Sequence, residues 1–210
     1  MTKPIGLERA ALFQDLAKGG KRIGLLGGSF NPPHQGHIHI SNHALRELSL
    51  DYIWWIVSPQ NPLKNKCGME QFATRVAKAN ELVASEKRIK VTTIETHFRT
   101  RFSFDTIRNL KEALPDHQMV WLMGADNLSQ ISQWHNWREL INSIPIAVFD
   151  RAPYATRALA SKAAYVYGQN RLKRRRSHQL SGHKPPAWIY LNIPRHPASS
   201  TQIRSQGEYL

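Results

Sequence analysis

His34 and His37 stand three residues apart inside the run Gly27-Gly28-Ser29-Phe30-Asn31-Pro32-Pro33-His34-Gln35-Gly36-His37. On a helix that starts near His34, that spacing puts both imidazoles on one face. The apolar run Ile23-Gly24-Leu25-Leu26 before it and the helical pattern after it make a strand, a glycine turn and a helix start. Such a junction leaves backbone N–H groups unpaired at the positive end of a helix, where phosphate oxygens can be held without a charged side chain. The chemistry on offer is phosphate binding with two imidazoles beside it. Two other readings use the same residues. One is a structural turn with surface histidines; the other is a zinc site that adds His39 or His43. Zinc needs a third and usually a fourth ligand, and neither a Cys pair nor an H-E-x-x-H helix supplies one.

Further along the chain, five more segments carry groups to weigh for a nucleotide site. Asn61 and Lys64 follow the apolar run Tyr52–Val57, and ligands of open α/β sheets collect beyond the carboxyl ends of strands. Lys64 is therefore a candidate phosphate contact, although most lysines are simply solvated. Ser103, Asp105 and Thr106 open a helix, where Ser103 or Asp105 could equally serve as its cap. Asp126 follows the apolar run Met119–Met123 and is placed to accept hydrogen bonds from ribose hydroxyls. Trp134 and Trp137 are three apart and could be a core-packing pair on one helix. Ser199, Ser200 and Thr201, with Arg204 one turn on, form a hydroxyl-rich helix start that either caps itself or holds an anion.

Two of these segments resemble the signatures of one family. Gly28, Phe30, Pro32, His34, Gly36 and His37 match G-x-F-x-P-x-H-x-G-H of the nucleotidyltransferases. Ala198 to Arg204 resembles their second signature, I-S-S-T-x-I-R, with Ala198 in place of the first Ile. Asn61 to Lys64 is similar to the lysine-bearing loop of the mononucleotide adenylyltransferases. Phe102 to Thr106 is similar to S-Y-T-x-D-T-L, with Arg101 departing from the small first residue. Gly124-Ala125-Asp126 followed by Trp134-His135 resembles the pyridine-binding segment of the nicotinate mononucleotide adenylyltransferases, where the Trp stacks on the ring, a cation-π arrangement.

The resemblance implies AMP transfer from ATP to nicotinate mononucleotide, with Mg²⁺ arriving on the ATP. It implies His34, His37, Lys64 and Arg204 as the catalytic set. It places Gly28, Ser29, Phe30, His37, Ser199, Ser200, Thr201 and Arg204 on the ATP, and Asn61, Ser103, Thr106, Asp126, Trp134 and His135 on the mononucleotide. Transfer to nicotinamide mononucleotide or phosphopantetheine is the nearest alternative, and a basic RNA-binding protein on a Rossmann-like scaffold is an alternative of another class.

The elements that must position these residues follow from the hydropathy pattern. Buried-type strands are predicted at 21–26, 52–57, 89–94, 119–123, 144–149 and 188–193, with helical segments between them at 69–85, 103–114 and 155–164. Alternating strands and helices specify an α/β fold with a mostly parallel central sheet and helices on both faces, and the resemblance implies its Rossmann-like nucleotidyltransferase form. An amphipathic lead at 1–20 precedes a single domain at 21–210. The 210 residues contain one cysteine, which excludes an internal disulfide, and no apolar run of membrane-spanning length, so a cytoplasmic location is expected. The net charge of +14 suits nucleotides but also nucleic acid or an acidic surface. Lys173 to Arg176 lies in a basic stretch, about 169–186, expected to be a solvated, mobile loop because like charges repel; it lacks the interleaved aromatics of a nucleic-acid platform.

Overall fold

A computed structural model describes residues 19–59, 68–150, 154–194 and 196–205. Among the described residues seven strands form one sheet: β1 (Arg22–Gly28), β2 (Tyr52–Val57), β3 (Ile89–Thr92), β4 (Gln118–Gly124), β5 (Ile146–Phe149), β6 (Arg171–Leu172) and β7 (Trp188–Leu191). Their order is β3-β2-β1-β4-β5-β7-β6 and every pairing is parallel. The expected α/β fold is thus the observed one. Parallel strands covered on both faces must be apolar throughout, which is why Tyr52–Val57 shows no alternation: Ile53 to Val57 are all buried.

The helices are α1 (Gln35–Glu47), α2 (Phe72–Leu82), α3 (Ile94–Phe98), α4 (Ser103–Ala113), α5 (Ala125–Gln130), α6 (Trp137–Ser143), α7 (Ala155–Leu159), α8 (Lys162–Val166) and α9 (Ser200–Ser205). Two apolar clusters pack the two faces of the sheet. One joins Leu25, Trp54, Trp121 and Val148 to α4, α6 and α8; the other joins Leu26, Trp55, Leu122 and Phe149 to α1, α2 and the segment around Leu180. The chain winds from β1 outward through β2 and β3, then returns to lay β4 on the other side of β1. The reversal falls at β1 and β4, and it is outside the carboxyl ends of strands at such a switch point that doubly wound sheets bind ligands in a crevice.

Several expectations are corrected here. The strand predicted to run to Ile94 stops at Thr92, and residues 94–98 turn into α3, with the Thr92 hydroxyl accepting from the Ile94 N–H at 3.1 Å. The segment 155–164 is two helices, because Ser161 caps the second through the Ala164 N–H. Neither Ser103 nor Asp105 caps α4; Phe102 precedes it and Asp105 pairs with Arg108 at 3.4 Å. Trp134 and Trp137 do not share a helix: Trp134 ends a 3₁₀ turn at Ile131–Gln133 and Trp137 begins α6.

The basic stretch is not a mobile loop. It forms the edge strand β6 and a 3₁₀ helix over Arg174–Gly182, anchored by Leu180, Ser177 and Ser181, all buried. The arginines point outward, Arg174 pairs with Glu47 at 2.8 Å, and Arg171 lies over the rings of Trp188 and Tyr190. Burial of the apolar side of the segment outweighs repulsion among cations that remain in water. Residues 1–18 of the predicted lead at 1–20, and Asn61 and Lys64, lie outside the described residues. Among the described residues no helix is long and apolar enough to cross a membrane.

Candidate active site

The glycine turn at the end of β1 is held from below. A Cβ on Gly27 would lie 2.4 Å from the Trp121 ring, so only glycine lets β1 pass over that indole. Phe30 follows with φ +46°, a left-handed conformation that an aromatic residue adopts only under constraint. Its ring is buried, stacked on Trp55 at 4.9 Å and touching His37 at 4.8 Å. Phe30 therefore reaches the crevice only through its backbone, while Ser29, also buried, leads into it.

His34 is the N-cap of α1. Its Nδ1 accepts from the Gly36 N–H at 3.1 Å, and the His37 Nδ1 accepts from the His34 N–H at 3.1 Å. The rings lie 3.9 Å apart. With each Nδ1 accepting, each proton belongs on Nε2, so both imidazoles are neutral N–H donors through their Nε2 edges. Among the described residues no three His, Cys, Asp or Glu side chains are grouped to hold a metal ion.

The second signature docks on the first. The Ser200 hydroxyl donates to the Pro32 carbonyl at 3.0 Å, and Arg204 donates to the Asn31 carbonyl. A Cβ on Gly36 would lie 3.0 Å from the Ala198 carbonyl and 2.8 Å from the His34 ring, so the glycine sets how closely the two segments approach. The Ser199 hydroxyl caps α9 through the Gln202 N–H at 3.2 Å, and Thr201 lies 3.5 Å from Arg204. Asn31 also ties the turn to the start of α2, donating to the Gly68 carbonyl at 2.9 Å and accepting from the Glu70 N–H at 3.1 Å.

On the far side of β4, Asp126 lies in the first turn of α5. Trp134 is half-buried against the core and His135 stacks on Phe102 at 4.3 Å, which joins the segment before α4 to the segment before α6. Ser103 is the first residue of α4 and half-exposed. Thr106 is buried, its hydroxyl shared between Thr100 Oγ1 at 2.7 Å and the Phe102 carbonyl at 3.2 Å, so it braces this wall from behind.

Two buried ionisable residues were not among the expected set. Arg75 is 1 % exposed and sits in the apolar stripe Phe72, Val76, Ala79, Val83 of α2 and the residue after it; an arginine in such a stripe is the signal that sequence reading could have used. Burial pushes its pKa down, against the pull of Glu70. Glu95, on α3, is 5 % exposed; burial pushes its carboxyl up to about 7, opposed by a hydrogen bond with the Ser58 side chain.

A parallel sheet reversing at β1 and β4, with a glycine turn and a histidine pair over the reversal, defines a nucleotide-handling α/β protein. Comparison with known proteins agrees: the chain belongs to the cytidylyltransferase-like family, whose model matches residues 25–206. Its relatives are more particular. A protein of Ruegeria sp. (strain TM1040) named probable nicotinate-nucleotide adenylyltransferase is 42% identical over 187 residues, covering 89% of this chain and 98% of that protein. One of the same name from Gluconobacter oxydans (strain 621H) is 45% identical over 188 residues, covering 90% and 96%. The fold matches that of Plasmodium falciparum nicotinic acid mononucleotide adenylyltransferase complexed with NaAD, with TM-score 0.66, 18% identity and coverage of 88% and 83%.

Proposed function

We propose that the protein transfers AMP from ATP to nicotinate mononucleotide, giving deamido-NAD and pyrophosphate. The observation that carries this reading is the docking of Ser200 and Arg204 on the Pro32 and Asn31 carbonyls, which brings two distant signatures together as a shared phosphate site requires. The names of the relatives support the acceptor.

The attacking group is the phosphate of the mononucleotide, so no protein nucleophile and no covalent intermediate are needed. Catalysis consists of aligning that oxygen with the α-phosphorus and offsetting the charge that builds on the α-phosphate and the departing pyrophosphate. His34 and His37 offer Nε2–H donors to the transferring phosphate. Gly28, Ser29 and Phe30 contribute backbone, while Ser199, Ser200, Thr201 and Arg204 face the triphosphate, with Lys64 adding a further cation. Asp126 takes the ribose hydroxyls; Trp134 and His135, with Ser103 and Asn61, take the rest of the mononucleotide. Thr106 acts through the loop it braces.

The donors around the crevice are N–H, hydroxyl and guanidinium groups, which suit phosphate oxygens and leave a hard cation to be held by the phosphates themselves. Mg²⁺ carried on ATP would supply charge neutralisation on the departing pyrophosphate, beside the cations Lys64 and Arg204. Pyrophosphate release, measured with ATP and Mg²⁺ against nicotinate mononucleotide, nicotinamide mononucleotide and phosphopantetheine, tests the reading. Release is expected with nicotinate mononucleotide foremost; no release with any acceptor rejects it.

A further inference from the structure

Arg75 spends its hydrogen bonds on main-chain carbonyls from three segments. Nη1 donates to Ser29 and, at 2.8 Å, to Ser58; Nη2 donates to Pro59 at 2.9 Å; Nε donates to Glu70 at 3.1 Å. Ser29 belongs to the glycine turn after β1, Ser58 and Pro59 to the end of β2, and Glu70 to the approach to α2. The carboxylate of Glu70 is taken by Lys78 at 2.7 Å, so the buried guanidinium faces carbonyl dipoles. Removing a charge this deep would relieve a desolvation cost; its retention needs another account.

The peptide plane supplies one. In a trans peptide the carbonyl of one residue and the N–H of the next point to opposite sides. Drawing the Ser29 carbonyl onto Arg75 therefore turns the Phe30 N–H away from α2, the orientation a phosphate turn requires. The same guanidinium ties that carbonyl to Ser58, whose own N–H donates to Gly28 at 2.9 Å. The left-handed Phe30 backbone is held between this anchor and the stacking of its ring on Trp55.

We propose that Arg75 is a positioning residue for AMP transfer: without touching either substrate, it fixes the spacing and peptide orientation of the turn after β1 against the end of β2. This rests on the function proposed above, and wild-type turnover is established first in the same assay; an inactive wild type would reject that function and not the role of Arg75. Arg75→Ala and Arg75→Lys are then compared with wild type for pyrophosphate release, each below its own melting temperature. Arg75→Ala is expected to lose about 10²-fold in kcat with KM for ATP within about threefold, and Arg75→Lys about tenfold in kcat. Guanidinium at tens of millimolar is expected to restore Arg75→Ala by about tenfold without accelerating the wild type. A folded Arg75→Ala with near-normal kcat, or a loss that guanidinium leaves unrepaired, overturns the proposal. Should Arg75→Ala not fold, Arg75→Lys decides: a folded lysine variant with wild-type kcat also overturns it.

Discussion

At the scale of single residues, the histidine pair carries the strongest expectation. The His37 Nδ1 holds the start of α1, so replacement of His37 removes one cap bond together with the phosphate contact proposed for its Nε2–H. His37→Ala is expected to lower kcat by about 10²- to 10³-fold with circular dichroism unchanged; near-normal turnover would remove it from the site. Glu95 makes a different prediction. Its folded pKa of about 7 lies above the reference 4.5, so the folded protein binds the proton more tightly than the unfolded chain. Its contribution to stability therefore declines as pH rises through that window and stays at its lowest above 7, by up to about 3 kcal/mol. Urea melts between pH 4.5 and 8 should show Glu95→Gln gaining on wild type as pH rises. Parallel curves would refute the assignment.

At the scale of elements, the site is a matter of which loops touch. Gly36 separates α1 from the second signature by the width of a missing methyl, so Gly36→Ala should push Ala198 away and raise KM for ATP more than KM for the mononucleotide. On the other wall, Phe102 holds His135 by stacking. Phe102→Ala is expected to raise KM for nicotinate mononucleotide about three- to tenfold while leaving KM for ATP unchanged, read from initial rates with each substrate varied. The sequence made the strands legible because fully buried strands lack alternation, and it made the start of α1 legible because glycine, proline and histidine punctuate it. It concealed α3 and the break at Ser161, since a few residues of helix leave no period to detect. It also misplaced the basic stretch, where charge was conspicuous and the anchoring Leu180 was a single residue among cations.

At the scale of the whole molecule, the chain carries a net charge of +14 and the proposed substrates are polyanions. Raising ionic strength should lower kcat/KM for ATP while leaving kcat nearly constant, because screening weakens encounter and not the aligned complex. A salt-independent kcat/KM would show that the net charge plays no part in capture. The exposed arginines at 175 and 176 lie outside the proposed site: reversing both to Glu should leave turnover at saturating substrate within about twofold, as for surface substitutions generally. A large loss would link this face to activity.

Read alone, the sequence determined the fold class, because buried-type strands alternate with helical segments, and it displayed two contiguous signatures whose resemblance to the nucleotidyltransferases implied the reaction. His34 and His37 belong to the first of them. The tertiary structure decided what depends on residues remote in the chain: the docking of Arg204 on Asn31, the stacking of His135 on Phe102, the inward turn of Thr106 and the burial of Arg75 beneath two loops. Each joins segments that meet only when parallel strands bring their carboxyl ends to one edge, and no local pattern of residue types encodes which side chain will bridge them.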